Sequence, residues 1–272
     1  MRQTKEQVIQ SAPIGVFDSG LGGLTLVREL RRQLPSESIV YFGDIARLPY
    51  GTKSREQIKR FSFENSEFLM TKGIKALVIA CNSSSSAAYQ VLKRHYRIPV
   101  IDVISPAVEA ACRVTHNRRI GVIGTHATIE SRAYEKALLR KLRNARIISA
   151  ACPLFVPLVE EGMLETTVTA DMVAHYLEGL KGQRIDTLIL GCTHYPMLRR
   201  QIQKFLGKKT LLIDSASPCI SMLARLLGTQ GRLNAAKGRG KLEIYVSDLP
   251  RNFIRVGEKF LEEKLKHVRV VR

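Results

Sequence analysis

Short apolar runs that end in Gly, Ser, Thr or Asp alternate along the chain with longer stretches whose apolar residues recur at three- and four-residue spacing. A continuous run of Val, Ile and Leu suits a strand covered on both faces, and the intervening amphipathic stretches read as the covering helices. The pattern predicts repeated β-α units, an α/β fold with parallel sheets. Strands are expected at 14–17 (IGVF), 38–42 (SIVYF), 76–80 (ALVIA), 99–103 (PVIDV), 119–124 (RIGVIG), 145–150 (ARIISA), 187–191 (TLILG) and 210–214 (TLLID). Basic stretches such as VRELRRQL, YEKALLRKLRNAR and LEEKLKHVRVVR read as helical.

Three of the strand segments recur in the same order. IGVFDSG at 14–20 is echoed by IGVIGTH at 120–126, ALVIACNS at 76–83 by TLILGCTH at 187–194, and IDVISP at 101–106 by IDSASP at 213–218. One echo is unremarkable among buried strands, but three in register argue for two similarly wound α/β domains related by pseudo-two-fold symmetry. On this reading one domain takes residues 1–105 together with a returning segment at 216–272, and the other takes 106–215. AAKGRGK at 235–241 reads as a flexible turn inside the returning segment.

Ligands of open α/β sheets bind outside the carboxyl ends of the strands, and both Cys81 and Cys192 stand there. If the halves face each other, the two sulfurs share one cleft, one on either side of a bound carbon. Inverting a stereocentre needs a base on one face and an acid on the other, which two equivalent groups from two equivalent halves supply. Each cysteine is followed by polar, helix-starting residues, Asn82, Ser83 and Ser84 in one case, Thr193 and His194 in the other. Helix N-termini lower a thiol pKa and offer free N–H groups to a carboxylate, so one loop can supply both the base and an anchor. A lone cysteine at a strand end is more often a small buried apolar residue, the reading given to Cys112, Cys152 and Cys219.

The five cysteines are odd in number and include no C-x-x-C pair, which points to free thiols in a reducing compartment and to no metal site. No run approaches the roughly 18 apolar residues of a membrane span, and no apolar signal core follows the charged N-terminus. A cytoplasmic protein with no membrane partner is expected. The net charge of +19 attracts anions generally and supports a non-enzymatic alternative, a basic DNA-associated regulatory protein. The positives are scattered and accompany no nucleic-acid-binding motif, so nucleic acid is not expected for the main activity.

Five motifs extend the case over most of the chain: IGVFDSGLGGLTLVREL at 14–30, YFGDIARLPYG at 41–51, ALVIACNSSSS at 76–86, ACPLFVPLVEEG at 151–162 and LILGCTHYPML at 188–198. Together and in this order they closely resemble the glutamate racemase family. The resemblance implies two α/β domains with the site between them, a glutamate substrate, a homodimer, and neither pyridoxal phosphate nor metal. It further implies a place in supplying D-glutamate for peptidoglycan and cell-wall synthesis. It makes Cys81 the base toward D-glutamate and Cys192 the base toward L-glutamate. Asp18 is expected beside Cys81, and Glu160 and His194 beside Cys192, assisting proton transfer or holding the ammonium. Asp18, Ser19, Pro49, Tyr50, Gly51, Asn82, Ser83, Cys192, Thr193 and His194 are the expected substrate contacts. Two positions depart from the family pattern. Ser83 stands where threonine is usual, keeping the hydroxyl and losing a methyl, and Ala216 replaces the glycine of a usual Asp-Ser-Gly.

The nearest enzymatic rival is an aspartate racemase or another two-cysteine racemase of the same architecture. Such enzymes tend to carry an acidic residue where this chain has His194. A nucleotide-binding domain is suggested by GLGG at 20–23, but the G-x-G-x-x-G fingerprint needs glycine where Thr25 stands.

Overall fold

The apolar runs become the centres of two parallel sheets in the computed structural model, which describes residues 5–271. The chain begins with α1 (Lys5–Ser11), β1 (Ile14–Asp18), α2 (Leu24–Gln33), β2 (Ile39–Gly43), α3 (Arg55–Met70), β3 (Ala76–Ile79), α4 (Asn82–His95), β4 (Val100–Asp102) and α5 (Ile104–Val114). It continues through β5 (Arg119–Gly124), α6 (His126–Glu130), α7 (Ala133–Lys141), β6 (Arg146–Ala151), α8 (Phe155–Glu160), α9 (Thr167–Lys181), β7 (Thr187–Gly191), α10 (Arg199–Leu206) and β8 (Leu211–Ile213). The last elements are α11 (Ala216–Thr229), β9 (Leu242–Val246), α12 (Phe253–Leu261) and β10 (Val268–Val270).

The first sheet runs β10-β9-β2-β1-β3-β4 and the second β6-β5-β7-β8. Every neighbouring pair is parallel. The four-strand stretch β2-β1-β3-β4 has the same winding order as the whole second sheet, the structural form of the sequence echo. All eight strands expected from the pattern are present with ends shifted by at most a residue or two.

Burial explains why these strands lack alternation. Ile14 and Val16 of β1 enter the same apolar cluster as Leu188 and Leu190 of β7. Phe17 and Ile79 face a second cluster under α3 and α4, and Val122 and Ile189 a third against α5 and α7. A strand with apolar packing on both faces has no polar positions to alternate. The first cluster spans both halves, and helices α2, α11 and α12 all contribute to it.

The C-terminal part corrects the pattern reading in one place. LEEKLKHVRVVR is not one helix: α12 ends at Leu261 and the chain then forms β10 beside β9. Neither β9 nor β10 is among the strands the pattern predicts. The return of the chain is held by Lys75, whose Nζ donates to the carbonyls of Gln10 (2.6 Å) and Arg232 (2.8 Å) and pairs with Glu37 at 2.5 Å. Among the described residues, no helix is long and apolar enough to cross a membrane.

Candidate active site

The site is built from strand ends. Asp18 closes β1 and is completely buried, its Oδ2 accepting the N–H groups of Gly20 (3.2 Å) and Gly23 (3.1 Å) while Oδ1 has no hydrogen-bond partner. Such a turn of backbone donors around a carboxylate fixes the orientation of Asp18 and of Ser19 after it. Cys81 follows β3 and caps α4, its sulfur accepting the N–H of Ser84 at 3.5 Å and lying 3.6 Å from Ser19 Oγ.

The second half differs in detail. No α-helix starts directly after Cys192: a 3₁₀ turn at Tyr195–Leu198 intervenes and α10 begins only at Arg199. Pro196 stands in the first positions of that turn, where the N–H it lacks has no intrahelical partner to lose. His194 stands beside the thiol, with Nδ1 3.9 Å from Cys192 Sγ and Nε2 2.9 Å from Glu160 Oε1. Glu160 ends α8, its carbonyl accepts from Asn252 Nδ2 at 3.4 Å, and Phe260 of α12 sets its ring edge against His194.

Cys81 and Cys192 line the same small cavity, of about 20 Å³, together with Ser19, Leu48, Pro49, Tyr50, Gly51, Asn82, Ser83, Thr125, Val156, Thr193 and His194. Two of the expected residues stand behind this lining: Asp18 beneath the Cys81 side and Glu160 behind His194. The Tyr50 hydroxyl is turned away from the cavity, donating to Asp44 and accepting from Asn65 Nδ2 at 3.0 Å. Tyr50 thus presents its ring and backbone. Thr125 was not expected, although the echo pairs it with Ser19; its Oγ1 is 2.9 Å from Ser83 Oγ, a hydrogen bond between the two halves. Leu48 and Val156 carried no chemical signal. Among the described residues, no three His, Cys, Asp or Glu side chains gather in a metal-binding group.

The electrostatics of the two sides are unequal. Burial, and next the charge of Asp18, push the Cys81 thiol up to about 11. Burial also raises Asp18 itself, against the opposing pull of His194 and of the backbone N–H groups. Burial alone would depress His194, but its hydrogen bonds to Cys192 and Glu160 prevail and lift it to about 10. At neutral pH the first half therefore holds a thiol and the second an imidazolium. The halves contact each other closely: a Cβ on Gly22 would lie 2.3 Å from Thr193 Oγ1 and 2.6 Å from His194 Nδ1.

The chain matches the family model for Asp/Glu/Hydantoin racemase over residues 14–223. It is 46% identical to a glutamate racemase of Geobacter metallireducens over 255 residues, 94% of each chain. It is also 46% identical to one of Aquifex aeolicus over 253 residues, 93% of this chain and 95% of that one. The chain belongs to the glutamate racemase family. A crystal structure of the Francisella tularensis glutamate racemase in complex with D-glutamate superposes with a TM-score of 0.92 at 41% identity, covering 97% of this chain and 98% of that one. An aspartate racemase of Picrophilus torridus, at 16% identity and a TM-score of 0.58, shares the fold alone. Glutamate racemases are thus similar to this chain across both sheets and the returning C-terminal segment.

Proposed function

We propose that the chain interconverts L-glutamate and D-glutamate by a two-base mechanism between Cys81 and Cys192, with no cofactor. The observation that carries this reading is that two thiols from equivalent strand ends of the two halves line one cavity. In the L-to-D direction the Cys192 thiolate takes the α-proton, leaving a carbanion whose charge spreads into the carboxylate. The Cys81 thiol then returns a proton to the opposite face. The reverse reaction starts from Cys81 as thiolate, toward D-glutamate. The protonated His194, 3.9 Å from Cys192 Sγ, is the counter-charge that a thiolate there needs, and Glu160 holds it in place.

Asp18 lies close enough for its charge to be felt at Cys81 and has a free carboxylate oxygen, which suits it to assist that thiol or hold the substrate ammonium. Ser19, Asn82, Ser83 and Thr193 offer polar contacts to the substrate, and Pro49, Tyr50 and Gly51 form the wall over it. The unpartnered Asn82 Nδ2 is a donor suited to a carboxylate. Production of D-glutamate for peptidoglycan in the cytoplasm, by a homodimer, completes the proposal; sedimentation of the purified protein tests the assembly.

The substrate is tested by incubating chelator-treated protein with L-glutamate in deuterated water. Optical rotation is expected to decay to zero as deuterium replaces the α-proton. Rotation that persists with glutamate and decays with aspartate overturns the assignment.

Gly22→Ala tests the contact between the halves. Its methyl cannot be accommodated unless Thr193 or His194 moves, so overpacking is expected to cost about 1–3 kcal/mol of stability. Displacing these neighbours of Cys192 is expected to slow racemisation by about 10²-fold. Gly179→Ala is the control, since nothing lies within 4 Å of the added methyl. It should leave the rate unchanged and raise the melting temperature slightly, as alanine is the better helix former. Equal rates in the two variants would refute the contact's importance.

A further inference from the structure

Tyr134 of α7 is almost fully buried, in a cluster with Ile120, Val122, Leu138 and Ile189 of the second half. Its hydroxyl crosses to the first half and donates to Asn82 Oδ1 at 2.7 Å. The other end of that carboxamide, Nδ2, is buried without a partner in the wall of the cavity. An amide whose oxygen is pinned has its amine direction fixed, so this hydrogen bond decides where Asn82 points its N–H groups. The ring of Tyr134 lies on Gly191, where a Cβ would come within 3.0 Å of Cε2. One side chain therefore touches the residue after Cys81 and the residue before Cys192.

We infer that Tyr134 is a positioning residue: it aims the Asn82 amine at the substrate and sets the spacing between the two cysteine-bearing strand ends. The inference rests on the two-thiol reading proposed above. A buried tyrosine hydroxyl needs some partner, and a backbone carbonyl is enough for stability alone. Tyr195 shows that ordinary arrangement, its hydroxyl donating to the Cys152 carbonyl at 2.7 Å. Tyr134 instead spends its hydrogen bond on a cavity-lining side chain of the opposite half. Burial holds its phenol well above the ordinary tyrosine range, so it remains a donor throughout the working pH range. Holding a substrate anchor in one orientation before binding lowers the entropy lost on binding.

Tyr134→Phe removes the hydroxyl and keeps the ring on Gly191. With a buried acceptor left unmatched and the amide free to turn, KM is expected to rise about tenfold for both enantiomers while kcat changes by less than about threefold. A purely structural hydroxyl would lower the melting temperature and leave KM alone. In an Asn82→Ala background the same substitution should add nothing to KM, because the group it aims is gone. An unchanged KM in Tyr134→Phe, or an equal rise in both backgrounds, overturns the inference. Asn82→Ala by itself must also raise KM, and an unchanged value overturns the inference even where Tyr134→Phe fails to fold. A Cys192→Ala or Cys81→Ala enzyme that still racemises overturns the two-thiol reading and this inference with it. Inactive cysteine variants beside a Tyr134→Phe enzyme of normal KM overturn this inference alone.

Discussion

Cys81→Ala and Cys192→Ala are each expected to lower glutamate racemisation by at least about 10³-fold while leaving the fold intact, as read by polarimetry and thermal melting. A positioned acid or base contributes about 10²–10⁴-fold, and each thiol acts as base in one direction and acid in the other. Losing either removes proton transfer on one face, so neither direction survives. The structural cost is small by comparison. Both sulfurs sit at the cavity wall on the margin of apolar clusters, Cys192 in the one that spans the halves and Cys81 in a small one with Tyr50, Ile58 and Phe61, so each alanine removes a single buried atom from its cluster. A double variant should be barely slower than either single one, since groups that act as a unit do not add. Appreciable racemisation by either alanine variant would end the two-base reading.

The parts of this site that were legible in the sequence were those set by backbone periodicity. A covered parallel strand must be apolar throughout, so its end is marked by the first polar residue, and Cys81 and Cys192 fell at such ends. Thr125 was equally legible, at the place of Ser19 in the echo, but its residue type gave no chemical reason to single it out. Strands β9 and β10 were hidden for a physical reason. β10 is the edge strand and half-exposed, so Val268–Val270 carries an arginine, while β9 is buried from Ile244 to Val246 but its half-exposed start carries Glu243, which breaks the apolar run. A search for continuous apolar runs passes over both. Gly22 was illegible differently: its need to be glycine arises from Thr193 and His194, far away along the chain.

The echo also shows where the halves must differ. It pairs Asp18 with Gly124 and Ser83 with His194, so the symmetric frame carries one carboxylate and one imidazole, each on one side only. The wall behind each thiol is therefore chemically different although the thiols are equivalent. An imidazolium stands beside one sulfur, while burial and a buried carboxyl raise the other thiol. On the proposed two-base reading such a difference is useful, since each turnover must begin with one thiolate and one thiol.

His194→Gln is the sharpest test of that difference, and kcat/KM is expected to fall about 10²-fold in both directions. The enantiomers have equal free energy in water, so kcat/KM for L- and D-glutamate must stay equal in every variant; the asymmetry appears only in the separate values of kcat and KM. The substitution should also change how stability depends on pH. His194 is raised from its ordinary 6.5 to about 10 in the folded protein. The stabilisation linked to its protonation is thus complete below pH 6.5, diminishes above it, and is lost as pH passes 10. The melting-temperature advantage of the unsubstituted protein over His194→Gln is expected to be widest at or below pH 6.5 and to close progressively toward pH 10. Glu160→Gln should narrow the same gap from the other side, because it removes one of the two hydrogen-bond partners that raise the imidazole. A gap that stays constant from pH 6 to 10 would show that His194 is not held as the cation and that Cys192 lacks the counter-charge assigned to it.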